Sequence, residues 1–140
     1  GANERATTSA IGLPRAKTLY GPVPEQLRDF DSFASRLKSM LAARRQYRVA
    51  EGELLAVPEP KSPGVCALIL KLPDHPLAVT VLNFGREDAD DVIELPPSPT
   101  PGPWTDIFTG RPGNATNEAG RLRVHIPALS GTTFVAVGRR

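Results

Sequence analysis

Cysteine is almost absent. Cys66 is the single one in 140 residues, so no intrachain disulfide can form. That usage suits a reducing compartment, and a cytoplasmic location is expected. Long apolar runs are missing too. The longest candidate, "VCALILKL", has the length of a strand and falls far short of the roughly 18 residues of a membrane helix. No membrane partner is expected. The start, "GANERATTSAIGLPRAK", has no apolar core of signal-peptide type and reads as a flexible lead-in over residues 1–18. Charge of one sign does not dominate: the formal net charge is +2. Such a balance does not suggest strong electrostatic binding of nucleic acid, and no nucleic-acid partner is expected. Arg44, Arg45 and Arg48 gather modestly, as expected of a solvated helix end where cations complement the helix dipole. Histidines are few, and neither His75 nor His125 has "HExxH" or another metal spacing.

Proline and glycine, by contrast, are plentiful, at 15 and 12 residues. They are spread along the chain, as in a protein of short strands and turns. The one good helix candidate runs from Glu25 to Tyr47. Asp31 or Ser32 can cap it, because a short side-chain oxygen takes up an unpaired amide of the first turn. Phe30, just before the cap, is placed to pack back on that turn. Phe33, Leu37, Met40 and Leu41 fall at helical spacing, with Arg36, Lys38, Ser39 and Arg45 opposite. After Tyr47 the period changes to that of strands. Segments 54–57, 65–72, 77–84, 91–95, 104–108, 121–126 and 132–137 are short, aliphatic or β-branched, and separated by Pro, Gly, Asn or Asp. In "RLRVHIP", Leu122, Val124 and Ile126 face one way and Arg121, Arg123 and His125 the other. The fold class expected is mainly β: an antiparallel β-sandwich of about seven strands, preceded by one amphipathic α-helix.

"LAVTVLNFGREDADDVIEL" (residues 77–95) reads as a hairpin: a strand, a sharp polar turn and a second strand. Both faces of its first strand are largely apolar, which predicts a central strand covered on both sides. Asn83 and Gly85 suit the strand end, Asn by bonding its own backbone and Gly by tolerating positive φ.

The search for chemistry finds little. The acids of "REDADD" lack the spacing, glycine and bidentate glutamate of a calcium loop, so no metal site is expected. The remaining aspartates sit in predicted loops and caps. None forms a pair recognisable as general acid and base. Cys66 lies between Val65 and Ala67 in an apolar strand, the setting of a structural thiol. "FTGRPGNATNEAG" is not a phosphate-binding loop. Asn114-Ala115-Thr116 matches a glycosylation triplet, which means little without a secretory signal. No catalytic residue and no cofactor are implied. Trp104, the only tryptophan, has two readings: an anchor packed at the core edge, or a platform on which a sugar stacks. Tyr20 and Tyr47 are the other aromatics considered for such a platform, and the three are dispersed along the chain.

Three stretches carry a family resemblance. "LYGPVPEQLRDFDSFASRLKSMLAARRQY", then "LAVTVLNFG", then "WTDIFTGR" with "LRVHIPALSGTTFVAV" resembles the C-terminal end of trehalose synthase, a maltose glucosyltransferase of the α-amylase family. The resemblance covers about residues 19–137. It implies a helix over residues 19–48 like the last helix of that family's catalytic barrel, and a C-terminal β-sandwich domain over residues 49–140. The barrel that interconverts maltose and trehalose is absent, and no catalytic carboxylate can be carried over.

The expected function is therefore that of a non-catalytic accessory domain supporting stability, assembly or partner contacts. The implied partners are the catalytic barrel of the parent enzyme and, by resemblance, a maltokinase. Phe33, Leu37, Met40 and Leu41 are the interface candidates, through docking on a sheet or self-association. The alternative is a carbohydrate-binding module for malto-oligosaccharides centred on Trp104.

Overall fold

The computed structural model describes residues 21–97, 103–113, 115–118 and 120–136. The expected lead-in, Tyr20 and the Asn114 triplet site lie outside the described residues. The chain forms two compact units, residues 1–41 and 42–140, divided within a helix.

In the first unit, the expected single helix is two. One turn, α1 (Val23–Gln26), is separated from α2 (Phe33–Gln46) by a bend. Local side-chain bonds compete with helix continuation there. The Asp29 carboxylate accepts the Asp31 amide at 2.9 Å. Gln26 ties the bend together: its amide nitrogen donates to Gly21 O and its amide oxygen accepts Ala34 N, at 2.8 and 3.2 Å. The hydroxyls of Ser32 and Ser35 both donate to the Gln26 carbonyl. Ser32 is the cap of α2, accepting the Ser35 amide at 3.2 Å. That makes Asp31 the residue before the cap and puts Phe30 one place too early to pack on the first turn. Phe30 is 91% exposed.

The second unit is the sandwich. Among the described residues, eight strands form two antiparallel sheets: β1 (Glu53–Ala56), β2 (Val65–Leu72), β3 (His75–Asn83), β4 (Ala89–Glu94), β5 (Trp104–Asp106), β6 (Ala115–Glu118), β7 (Arg121–Ile126) and β8 (Ser130–Ala136). The large sheet has the order β1-β2-β3-β8-β5 and the small sheet the order β4-β7-β6. The strand absent from the sequence expectation is β6, "ATNE". It has no apolar alternation of its own and is recruited by pairing with β7. Gly120, at φ +84°, lies between the two. Strand β5 stops early because the Asp106 carboxylate accepts the amides of Phe108 and Thr109 and turns the chain.

The core lies between the sheets. Ala67, Ile69, Leu77, Val79, Val81, Phe134 and Ala136 come from the large sheet, and Ile93, Leu122, Val124 and Ile126 from the small one. The period of two in "RLRVHIP" is realised in full, with Leu122, Val124 and Ile126 buried and the residues between them exposed. A second cluster sits outside the large sheet, where Ala43 of α2 packs with Leu72, Ala78, Ile107 and Val135, joined by Tyr47, Val49 and Leu70. Just past α2, Arg48 takes a left-handed conformation, φ 51°, at the position where glycine commonly ends helices. Its guanidinium pairs with Glu51 and lies 3.5 Å from Asp74 in the β2–β3 turn.

Residues 77–95 do not form a hairpin. β3 belongs to the large sheet and β4 to the small one, where β4 pairs with β7. The polar stretch is a crossover between sheets, organised by Asn83. Its buried amide nitrogen donates to Glu87 O, Ile126 O and Pro127 O at 2.9–3.2 Å, and its oxygen accepts the Gly85 amide at 2.8 Å. Gly85 does not adopt positive φ. What it supplies is room, because a Cβ there would stand 2.9 Å from the Asn83 side-chain oxygen.

Candidate functional site

The residues singled out in the sequence do not converge. Trp104 is 4% exposed and packed in the inter-sheet core. Its ring faces are occupied by neighbours, so it is the core anchor and cannot be the sugar platform. Its indole Nε1 and the Asn117 side-chain oxygen are buried without a partner among the described residues. Tyr47 is tilted against His75, ring centroids 5.5 Å apart. The imidazole is held on its other side, with Nδ1 3.2 Å from Ala136 O. Both rings are thus engaged in packing. Cys66 is a free thiol, half-buried on the outer side of the large sheet.

Phe33, Leu37, Met40 and Leu41 are all exposed. The buried residue of α2 is Ala43. At about 100° per residue, position 43 points well away from the direction shared by 33, 37, 40 and 41. The helix therefore has two separate apolar directions.

The acids of the crossover have structural employment. Asp91 is buried within β4 and points inward. Its carboxylate accepts the amides of Lys61 and Ser62, at 3.1 and 2.8 Å, and of Val92. Burial alone would raise its pKa, but the bonds from Ser62, Lys61 and Val92 outweigh that and hold it below the usual carboxylate value. Asp88 accepts the Ala128 amide at 2.9 Å. Asp90 lies 3.0 Å from Nδ1 of His125, with Asp88 3.8 Å from Nε2. Among the described residues, no three His, Cys, Asp or Glu side chains are grouped to hold a metal ion. A cleft of about 450 Å³ lies here, lined by Ser62, Pro63, Asn83, Gly85 and residues 86–90. Its deepest polar group, the Asn83 amide, is already fully bonded.

The feature that sequence inspection missed is a surface. Strand parity puts Leu54, Cys66, Leu68, Leu70, Ala78, Thr80, Leu82, Thr105, Thr133 and Val135 on the outer face of the large sheet. None of these is charged. At one end, Ala78 and Val135 are buried in the cluster formed with Ala43. The Thr80 and Thr133 hydroxyls satisfy each other at 2.8 Å. Towards the other end the face opens, with Leu68 37% and Phe84, just past β3, 68% exposed. Leu54, on the edge strand β1, is exposed as well. The signal was present in the both-sided apolarity of β2 and β3. Reading it as a surface required the register that sets Leu54 beside Leu70 and Leu68 beside Thr80.

Among the described residues, the outer face of the large sheet is apolar, buried at one end and open at the other. No family model matches the chain, and no curated protein matches it. No helix among the described residues is long and apolar enough to cross a membrane.

Proposed function

We propose that this chain is a non-catalytic accessory domain, the C-terminal β-sandwich and preceding helix of a trehalose synthase-like enzyme of the α-amylase family. In this reading the parent enzyme's barrel carries the maltose and trehalose chemistry. This piece supports the barrel's stability and assembly, and it presents surface to the barrel or to a partner such as a maltokinase. The observation that carries the reading is the uncharged outer face of the large sheet, covered at one end and open at the other. A sheet apolar on both faces suits cover on both, and contiguous exposed apolar surface marks interaction sites. The sequence resemblance over residues 19–137 supplies the identity of the covering body.

The test is truncation. Removing residues 49–140 from the parent enzyme is expected to cost soluble, correctly assembled protein. A truncated enzyme with unchanged melting temperature and oligomeric state would overturn the reading. The purified chain, given maltose, is expected to release neither trehalose nor glucose. Turnover above a blank would make it an enzyme in its own right.

A further inference from the structure

We draw no further inference here: the strongest candidate, the exposed apolar stripe of α2 formed by Phe33, Leu37, Met40 and Leu41, carries nothing because nothing in the structure shows what covers it.

Discussion

The two sheets share one core and turn very different faces outward. The small sheet shows Asp90, Val92 and Glu94 on β4 opposite His125, Arg123 and Arg121 on β7, one cross-strand partner for each. Glu94 and Arg121 are joined at 2.8 Å, and Asp90 and His125 at 3.0 Å. This is a face finished for water: polar, with charges of both signs and satisfied by its own neighbours. The large sheet has no such face. Its outward positions are aliphatic or hydroxyl-bearing, with the Cys66 thiol among them, and its buried corner is sealed by Ala43 and Ile107. Lone surface leucines are ordinary, but a whole uncharged sheet face in a chain of this composition is not explained by chance scatter. The difference is one of charge: among the described residues the small sheet's outer face is laced with ion pairs, and the large sheet's outer face is not.

The comparison holds only if both sheets belong to one cooperative body, and that is the first point to break. Leu122 of the small sheet is wholly buried, and so is Val79 of the large one. Leu122→Ala is expected to cost about 2–5 kcal/mol, the transfer loss plus the cavity. Urea unfolding followed by Trp104 fluorescence and by far-ultraviolet dichroism should give one coincident transition. Two transitions would mean that the small sheet melts alone and that its outer face says nothing about the large one.

The next largest effect is expected at the crossover. Asn83→Ala strips partners from three carbonyls and one amide at the point where the chain changes sheets. Leaving buried groups unpaired costs about 1–3 kcal/mol. Asn83→Asp keeps the acceptor for Gly85 but sets a carboxylate against the carbonyls of Glu87, Ile126 and Pro127, and should be at least as damaging. Stability indistinguishable from the parent chain in both variants would show that the crossover is not what couples the sheets.

Asp91 sharpens the same point through pH. Its pKa is held below the usual value in the folded protein by the Ser62, Lys61 and Val92 amides. A depressed carboxylate contributes stability that is complete above its unfolded pKa, about 3.9. That contribution is lost as pH falls through the lower, folded value. The melting temperature should therefore drop from about pH 5 downward. Asp91→Asn should be less stable at neutral pH and flatter in acid. A parallel pair of pH curves would show that Asp91 ionisation is not linked to folding.

Much of this architecture was legible from residue pattern. β2 and β7 have the expected bounds, because each is a long alternating or apolar run ended by turn chemistry. The helix bend was missed because its cause is side-chain bonding by Asp29 and Gln26, which leaves the apolar spacing unbroken. β6 was missed because its strand character comes from its neighbour. The supposed hairpin shows the deeper limit. "NFGREDAD" looks the same whether the chain returns to its own sheet or crosses to the other. The two distant carbonyls that meet Asn83, those of Ile126 and Pro127, decide. The candidate surface was hidden for a related reason. Period two reports that a face is apolar, while exposure depends on what covers it, as Ala43 covers Ala78 but not Leu68.

The smallest expected effects separate the two outer faces directly. On the small sheet, Glu94→Ala removes one member of an exposed pair, and such cross-strand pairs are worth about 0.2–1 kcal/mol. Nothing else should change. On the large sheet, Leu68→Lys exchanges a side chain that is 37% exposed for one whose stem can lie along the same surface with its ammonium in water. In the isolated chain this should alter stability by about 0.5 kcal/mol or less, as for surface positions generally, and it should weaken binding of a dye for apolar surface. In the parent enzyme the same position would face another body, and the buried ammonium would have no partner there. Leu68→Lys should then be harmless in the piece and damaging in the whole, whereas Glu94→Ala should be mild in both. Thermal melts of four proteins decide it: each variant, in the isolated chain and in the parent enzyme. If Leu68→Lys is equally mild in both settings, the large sheet's outer face is bare in the parent too. Its lack of charge would then be no sign of a covering domain.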